Sequence, residues 1–247
     1  MNLATTTITV LVLTAVTFAL VARLGVDQPW LQPWAIARAF AQLALLSVLL
    51  TGIIANPVWV ALFLTVMVLA ATWVVTRRLD TSWRLAPALG GIITIAAAVP
   101  VTIVFTTMAV DLTTRYTLAV AGIIIGNTMT VTTLTGRTLL HSIVTDRDEI
   151  ETWLALGATP RHATLRIARS AATTALIPST DQTRTTGLVT LPGAFVGAVF
   201  AGASPLEAAQ FQLLVLASIL TSAAIAATLT TTLLGAPTRI PMTLTPR

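Results

Sequence analysis

The sequence predicts an all-α integral membrane protein with about seven transmembrane helices, and three observations support this prediction. Hydrophobic residues make up 55% of the chain and charged residues only 9%, whereas soluble domains carry about 25% charged residues. Apolar stretches of about 20 residues, the length that crosses a bilayer, alternate with short polar segments. The arginines are concentrated in alternate connections. We therefore expect a multi-pass protein of the plasma or inner membrane, with one permease domain over residues 1–247.

Seven apolar stretches are separated by turn-forming residues. Prolines and small polar residues supply the breaks, as at Asn56-Pro57 and Ser204-Pro205. The first stretch has no basic residue before it and Arg23 directly after it, which is typical of a retained span rather than a signal peptide. The predicted spans are Ala4–Ala22, Ala35–Ile54, Val58–Thr76, Leu85–Thr107, Thr117–Leu134, Thr185–Ala203 and Ala208–Leu234.

The arginine distribution predicts the orientation in the membrane. If the connection after span five is cytoplasmic, only Arg115 falls outside. Cytoplasmic loops carry an excess of basic residues, so the N-terminus is predicted outside and the C-terminus in the cytoplasm. The arginines assigned to the cytoplasm are Arg23, Arg38, Arg77, Arg78, Arg84, Arg137, Arg147, Arg161, Arg166, Arg169, Arg184, Arg239 and Arg247.

The connection between spans five and six, with a cytoplasmic segment over about 141–180, predicts a short amphipathic helix over Asp146–Leu156. Thr145-x-x-Asp148 has the spacing of a capping box. Ile150, Trp153 and Leu154 would share one face, and Gly157 followed by Pro160 would end the helix. Physical reasoning alone leaves two interpretations open, an interfacial connector or a docking element.

The segment Glu151-x-x-x-Ala155-Leu156-Gly157-Ala158-Thr159-Pro160 resembles the EAA-type coupling loop of ABC transporter permeases. The resemblance implies a cytoplasmic coupling helix that docks into a groove of a separate ATPase subunit. The candidate coupling residues are Glu149, Glu151, Leu156, Gly157, Ala158 and Pro160.

Longer stretches resemble one permease family, the FetB (YbbM) type associated with iron export. They include Arg38–Leu43, Gly122–Thr130 and, most specifically, Asp181-Gln-Thr-Arg184-Thr-Thr-Gly187-Leu-Val-Thr-Leu-Pro192-Gly193. The resemblance implies a permease that dimerises and exports iron or another metal species. The chain contains no lysine and so cannot form a conventional Walker A loop. We therefore expect no cofactor on this chain and ATP on the partner subunit.

Polar residues within or next to the spans are the candidates for a translocation path. Asn127 would either bond between helices or line the path. Asp181 would either pair with Arg184 and cap a helix, or attract cations. The candidate path residues are Gln42, Asn127, Met129, Asp181 and Gln182. The chain has no cysteine and two histidines, both outside the predicted spans, so the ligands of a transported metal stay unidentified.

Two motifs place small residues four positions apart, which lets membrane helices approach closely. They are predicted to pack helices within the chain or between subunits. The residues are Gly122, Gly126, Gly193 and Gly197.

Other functions remain open at this stage. An ABC permease could move another solute, such as a sugar nucleotide or a lipid. An ATPase-independent carrier or channel would be expected to carry buried acidic pairs, and an intramembrane enzyme a recognisable catalytic motif; neither is evident. Nucleic-acid binding is not expected, because the chain offers no basic face on a soluble surface.

Overall fold

A computed structural model describes residues 2–54 and 56–236, and these residues are almost entirely helical, with one isolated bridge between Thr186 and Thr190. A single 3₁₀ turn, Trp83–Leu85, leads directly into α4. The α-helices are α1 (Leu3–Arg23), α2 (Leu31–Ile54), α3 (Pro57–Arg78), α4 (Ala86–Thr106), α5 (Thr114–Thr145), α6 (Arg147–Ala155), α7 (Pro160–Ala163), α8 (Leu165–Thr185), α9 (Gly193–Phe200) and α10 (Pro205–Leu234). Arg239 and Arg247, used for the predicted orientation, lie outside the described residues.

Six helical segments of the described chain are long and apolar enough to cross a membrane. They correspond to predicted spans one to five and span seven, which confirms the multi-pass helical class. The segments are Ala4–Arg23, Leu31–Leu50, Pro57–Arg78, Trp83–Thr106, Thr114–Thr145 and Pro205–Leu234.

The prediction of a continuous sixth span over Thr185–Ala203 is wrong. The chain leaves α8 at Thr185, turns through Gly187 at φ +88°, and only then forms α9. At a rise of 1.5 Å per residue, the eight residues of α9 span about 12 Å, less than half of a bilayer core. The apolar composition of this stretch was misleading because it does not reveal the turn.

The predicted boundaries of the connection after span five are also wrong. Helix α5 does not end near Leu134 but continues to Thr145, and α6 follows almost at once. The capping box is not formed, because the Thr145 hydroxyl donates to the carbonyl oxygen of His141 within its own helix. Asp146 occupies the N-cap position of α6 without a side-chain hydrogen bond to it.

The chain divides into two compact units, one ending at Trp59 and the other beginning at Val60. In the first, α1 and α2 contact each other, and the rings of Phe18 and Trp30 lie 4.4 Å apart between centroids. In the second, α4, α5, α8 and α10 pack together.

Helices α5 and α10 run in the same direction. Near their N-terminal ends, the rings of Tyr116 and Phe211 lie 5.5 Å apart. Near their C-terminal ends, a Cβ built on Gly136 would lie 3.4 Å from Leu234 Cδ1. The chain must therefore return along the whole length of α10 between the end of α5 and the start of α10.

Helix α8 makes most of that return. Just before it begins, the Thr164 hydroxyl hydrogen-bonds to the carbonyl oxygen of Gly235, at the C-terminal end of α10. Further along, the Ser179 hydroxyl donates to Asn127 Oδ1 in the interior of α5. The 21 residues of α8 measure about 30 Å, which is the thickness of a bilayer core. Thus α8 is antiparallel to α5 and α10.

The core of the second unit is built from branched aliphatic side chains and from close helix approaches. Ile124, Leu139, Ile143 and Ile167 are fully buried. A Cβ built on Gly90 of α4 would lie 3.1 Å from Thr72 Oγ1 of α3, so this glycine permits a closer helix contact than a side chain would allow without a small shift of Thr72.

Candidate translocation cavity and coupling helix

A cavity of about 280 Å³ lies between α5 and α8. Its polar lining comes from four side chains with amide or hydroxyl groups on the two facing helices: Asn127, Thr130, Ser179 and Gln182. The remaining lining residues are small or apolar: Gly126, Val131, Leu134, Ala175 and Pro178. Such a cavity offers oxygen atoms to a solute, and none of its lining side chains is charged.

Asn127 connects three helices at this point. Its Nδ2 donates to the carbonyl oxygen of Ile219 on α10 at 3.4 Å, and its Oδ1 accepts from Ser179 Oγ on α8 at 3.3 Å. Because Ile219 lies at the midpoint of α10, these bonds mark the middle of the packed helices. Asn127 therefore links helices and also lines the cavity, so the two interpretations of this residue are compatible.

Helix α8 continues through Pro178, although proline commonly kinks or ends a helix. Proline has no backbone N–H, so Pro178 cannot donate to the carbonyl oxygen of Thr174 one turn earlier. This leaves a carbonyl in the middle of α8 without its usual helical donor, one turn before a proline that lines the cavity.

The predicted path residues do not all lie together. Asn127 and Gln182 line the cavity, whereas Met129 packs against the hydrophobic core. Asp181 is exposed within α8 instead of preceding a span. Gln42 is an exposed residue of α2, in the first compact unit.

The four predicted packing glycines also differ in their surroundings. A Cβ on Gly122 would meet Met67 Cε at an ordinary 3.7 Å. Among the described residues, nothing lies within 4 Å of the corresponding position at Gly126, Gly193 or Gly197. Sequence reasoning missed Gly136, where a Cβ would lie 2.7 Å from Leu79 Cδ2, because no glycine or alanine lies four positions before or after it.

Helix α6, the predicted coupling helix, is attached to the second unit by one buried side chain. Ile150 is 1% exposed and belongs to the same core as Ile143 and Ile167. Leu154 is partly buried, as predicted, but Trp153 remains 43% exposed and contacts the ring of His162 edge-on at 5.8 Å. The outer face of α6 is thus open to a partner.

The C-terminus of α6 confirms the predicted helix stop. Gly157 has φ +86°, the left-handed conformation that glycine adopts readily. Its N–H donates to the carbonyl oxygen of Leu154, and the N–H of Ala158 donates to that of Trp153, each at 3.0 Å. This pair of bonds is a Schellman motif. Pro160 then opens α7, and Leu156 is left 75% exposed.

Two acidic residues of α6 have different partners. Glu149 forms a bidentate ion pair with Arg166 of α8, at 2.9 Å from Nε and 2.5 Å from Nη2. The Arg166 hydrogen bonds hold the pKa of the Glu149 carboxyl below its usual value. Glu151 pairs within α6 with Arg147 at 2.6 Å. Glu149 therefore joins α6 to α8, whereas Glu151 lies on the exposed side.

Several arginines gather at the end of the second unit that carries α6. The Arg137 Nε donates to the carbonyl oxygen of Arg78 at 3.1 Å, which joins the C-terminal ends of α3 and α5. Arg147 and Arg166 belong to the same end. At the opposite end, a second cavity of about 220 Å³ includes Asp111 and Glu207 in its lining.

Within residues 2–54 and 56–236, no group of three or more histidine, cysteine, aspartate or glutamate side chains is placed to hold a metal ion. The side chains that offer oxygen atoms to the α5–α8 cavity carry amide and hydroxyl groups.

Six apolar helices of spanning length and a cavity between packed helices define a multi-pass helical membrane protein. The sequence model of UPF0014, described as an uncharacterised protein family, matches residues 2–237, and the chain belongs to this family.

Named relatives extend over most of the chain. The UPF0014 membrane protein STAR2 of Oryza sativa subsp. japonica is 35% identical over 90% of this chain and 78% of its own length. Protein ALUMINUM SENSITIVE 3 of Arabidopsis thaliana is 34% identical over 83% of this chain and 75% of its own. The probable iron export permease protein FetB of Escherichia coli (strain K12) is 32% identical over 54% of this chain and 51% of its own. No solved structure matches the chain.

Proposed function

We propose that this chain is the membrane-spanning permease subunit of an ABC transporter, driven by a separate ATPase subunit and exporting iron or another metal species. The observation on which the proposal mainly rests is α6, which is held by a buried isoleucine and an ion pair while its outer face stays exposed. The similarity to a probable iron export permease supports the substrate class, and a plant relative named for aluminium sensitivity is compatible with a metal.

The proposed topology has seven crossings, with α8 as the sixth. Because α5 and α10 are parallel, the chain between them must cross the bilayer, and α8 is long enough to do so. The arginine-rich end that carries α6 is cytoplasmic by the positive-inside rule. Seven crossings then place the N-terminus outside and the C-terminus in the cytoplasm. A reporter after Arg247 is expected in the cytoplasm and one at the N-terminus outside; both on one side would refute this topology.

Transport would proceed through the α5–α8 cavity. Amide and hydroxyl oxygens of Asn127, Ser179 and Gln182 suit a hard or borderline cation that keeps part of its hydration shell. Since α8 lines the cavity and is joined to α6 by Arg166, a movement of α6 caused by the ATPase would be transmitted to the cavity wall. Two permease copies and two ATPase copies would form the complete transporter.

Co-purification tests the first part of this proposal. A tagged form of the full chain is expected to retain an ATP-binding subunit in mild detergent, and Glu151→Arg is expected to reduce that retention because it reverses the charge on the exposed side of α6. Thr94→Ala, at an exposed position of α4 away from α6, is the matched control. Absence of any ATP-binding subunit from the purified wild-type complex would remove the ABC assignment.

Metal content tests the substrate class. Cells that lack the protein are expected to accumulate iron or another metal, and Asn127→Ala expressed in those cells is expected to restore export poorly. Unchanged metal content together with a retained ATPase would indicate a permease for a different solute.

A further inference from the structure

One face of α8 is polar although α8 lies beside the apolar helices α5 and α10. On the opposite face of α8, every fourth residue is buried: Ile167, Ala171, Ala175 and Ser179. The exposed face, called here the α8 stripe, repeats at intervals of three and four residues, so its members share one side of the helix. It consists of Ser170, Thr173, Thr174, Ile177, Thr180, Asp181 and Arg184.

The C-terminal part of the stripe, with its two charged residues, lies near the bilayer centre in the proposed topology. Ser179 is level with Ile219, the midpoint of α10, through their shared partner Asn127. At 1.5 Å per residue, Asp181 lies about 3 Å and Arg184 about 8 Å beyond that level. Within residues 2–54 and 56–236, neither charge forms an ion pair. Lipid chains cannot satisfy an aspartate and an arginine this close to the bilayer centre.

We infer that the α8 stripe faces the same stripe of a second copy of this chain, across a water-filled path that the two copies enclose. The inference rests on the proposed permease function. It assigns the wall of the path opposite the α8 stripe to the second copy. In a dimer with its two-fold axis along the bilayer normal, both α8 helices run in the same direction. Asp181 of one copy is then only about one helical turn in height from Arg184 of the other, which allows two reciprocal ion pairs.

Charge complementarity selects a second copy as the partner of the stripe. An aspartate and an arginine three positions apart on the same helical face match the same pair on a two-fold-related copy. The α5–α8 cavity adjoins this face through Pro178 and Gln182, which belong to the same turns of α8 as the stripe. A solute in the cavity would therefore have the second copy as its opposite wall.

The absence of cysteine from the sequence allows a direct test in the full-length protein in native membranes. Ile177→Cys and Thr180→Cys lie on the stripe, and Ile95→Cys on the exposed side of α4 is the matched control at 52% exposure. We expect a membrane-impermeant maleimide to modify the stripe positions at least tenfold faster than Ile95→Cys. We also expect oxidation or a short bismaleimide to link two copies through Thr180→Cys and not through Ile95→Cys.

A charge exchange provides a second, independent measurement. Asp181→Arg is expected to reduce the dimer fraction at least fivefold, and the double variant Asp181→Arg/Arg184→Asp is expected to restore it. If the maleimide modifies the stripe cysteines but neither of them links two copies, the path lies within one copy and the inference is overturned. Stripe positions as slow to react as Ile95→Cys would mean a dry contact, such as one with another part of the same chain, and would also overturn it. ATPase co-purification can succeed or fail independently of these results.

Discussion

Gly157 offers a substitution whose cost is set by the backbone alone. Its φ of +86° is left-handed, and a Cβ at this position would meet no atom within 4 Å. A side chain therefore creates no clash, and the cost is the conformational penalty of a left-handed L-residue, about 1–2 kcal/mol. Since 1.4 kcal/mol is a factor of ten in an equilibrium constant, Gly157→Ala should lower the equilibrium constant between the native exit from α6 and its alternatives by about tenfold.

Binding of the proposed ATPase to α6 should weaken by up to that factor, because only the native conformation is competent to bind and the apparent dissociation constant rises as its fraction falls. Gly157→Val should weaken it further, since a β-branched residue tolerates positive φ poorly. Gly157→Asn is the matched control, because asparagine enters this region more easily. The measurement is the dissociation constant of the purified subunits. Equal affinity of wild type and Gly157→Val would refute the argument, and an equal loss in Gly157→Asn would assign the effect to side-chain bulk instead.

Three further predictions follow from contacts in the second unit. Gly136→Val should lower the melting temperature in detergent, because overpacking against Leu79 costs about 1–3 kcal/mol. The control Gly91→Val, whose Cβ would meet no atom within 4 Å, should lower the melting temperature less. Equal losses in the two variants would contradict the packing of Gly136 against Leu79. Arg166→Glu should uncouple ATP hydrolysis from transport, and the exchange with Glu149→Arg should recover coupling; failure of the double variant would exclude a role for the pair itself. Because the pKa of Glu149 is lowered from 4.5, the pair should persist above pH 4.5 and be lost only as the pH falls through the lowered value, so transport that weakened between pH 7 and 5 would have to depend on another group.

The apolar helices were predictable because their signal is their own composition. Helices α1 to α4 and α10 coincide with predicted spans, since a helix that faces lipid must be apolar over about 20 residues. The end of α6 was equally readable, because Gly157 and Pro160 are residues with strong local backbone preferences. Local chemistry of this kind acts within a few residues and needs no knowledge of the tertiary structure.

The elements that were missed depend on tertiary contacts. The long C-terminal extension of α5 holds Leu139 and Ile143 in the core, and a threonine-rich sequence gave no sign of that packing. The capping box at Thr145 failed because the hydroxyl found an acceptor in its own helix, at His141. The bond from Ser179 to Asn127 joins residues 52 positions apart, and no spacing rule could have brought these two groups together.

The error at span six and the proposed path have one physical origin. Hydropathy identifies helices that contact lipid, but a helix that packs on protein with one face and faces water with the other has no need of apolar residues at the bilayer centre. In the proposed topology α8 is such a helix, so its crossing was attributed to the apolar stretch after it, which contains the turn at Gly187 and the short helix α9. In that proposed topology the number of crossings stays at seven, with α8 as the sixth in place of the apolar stretch after it. It follows that Asp181 and Arg184, which prevented α8 from being recognised as a span, are also the residues that mark its outer face as the wall of an aqueous path.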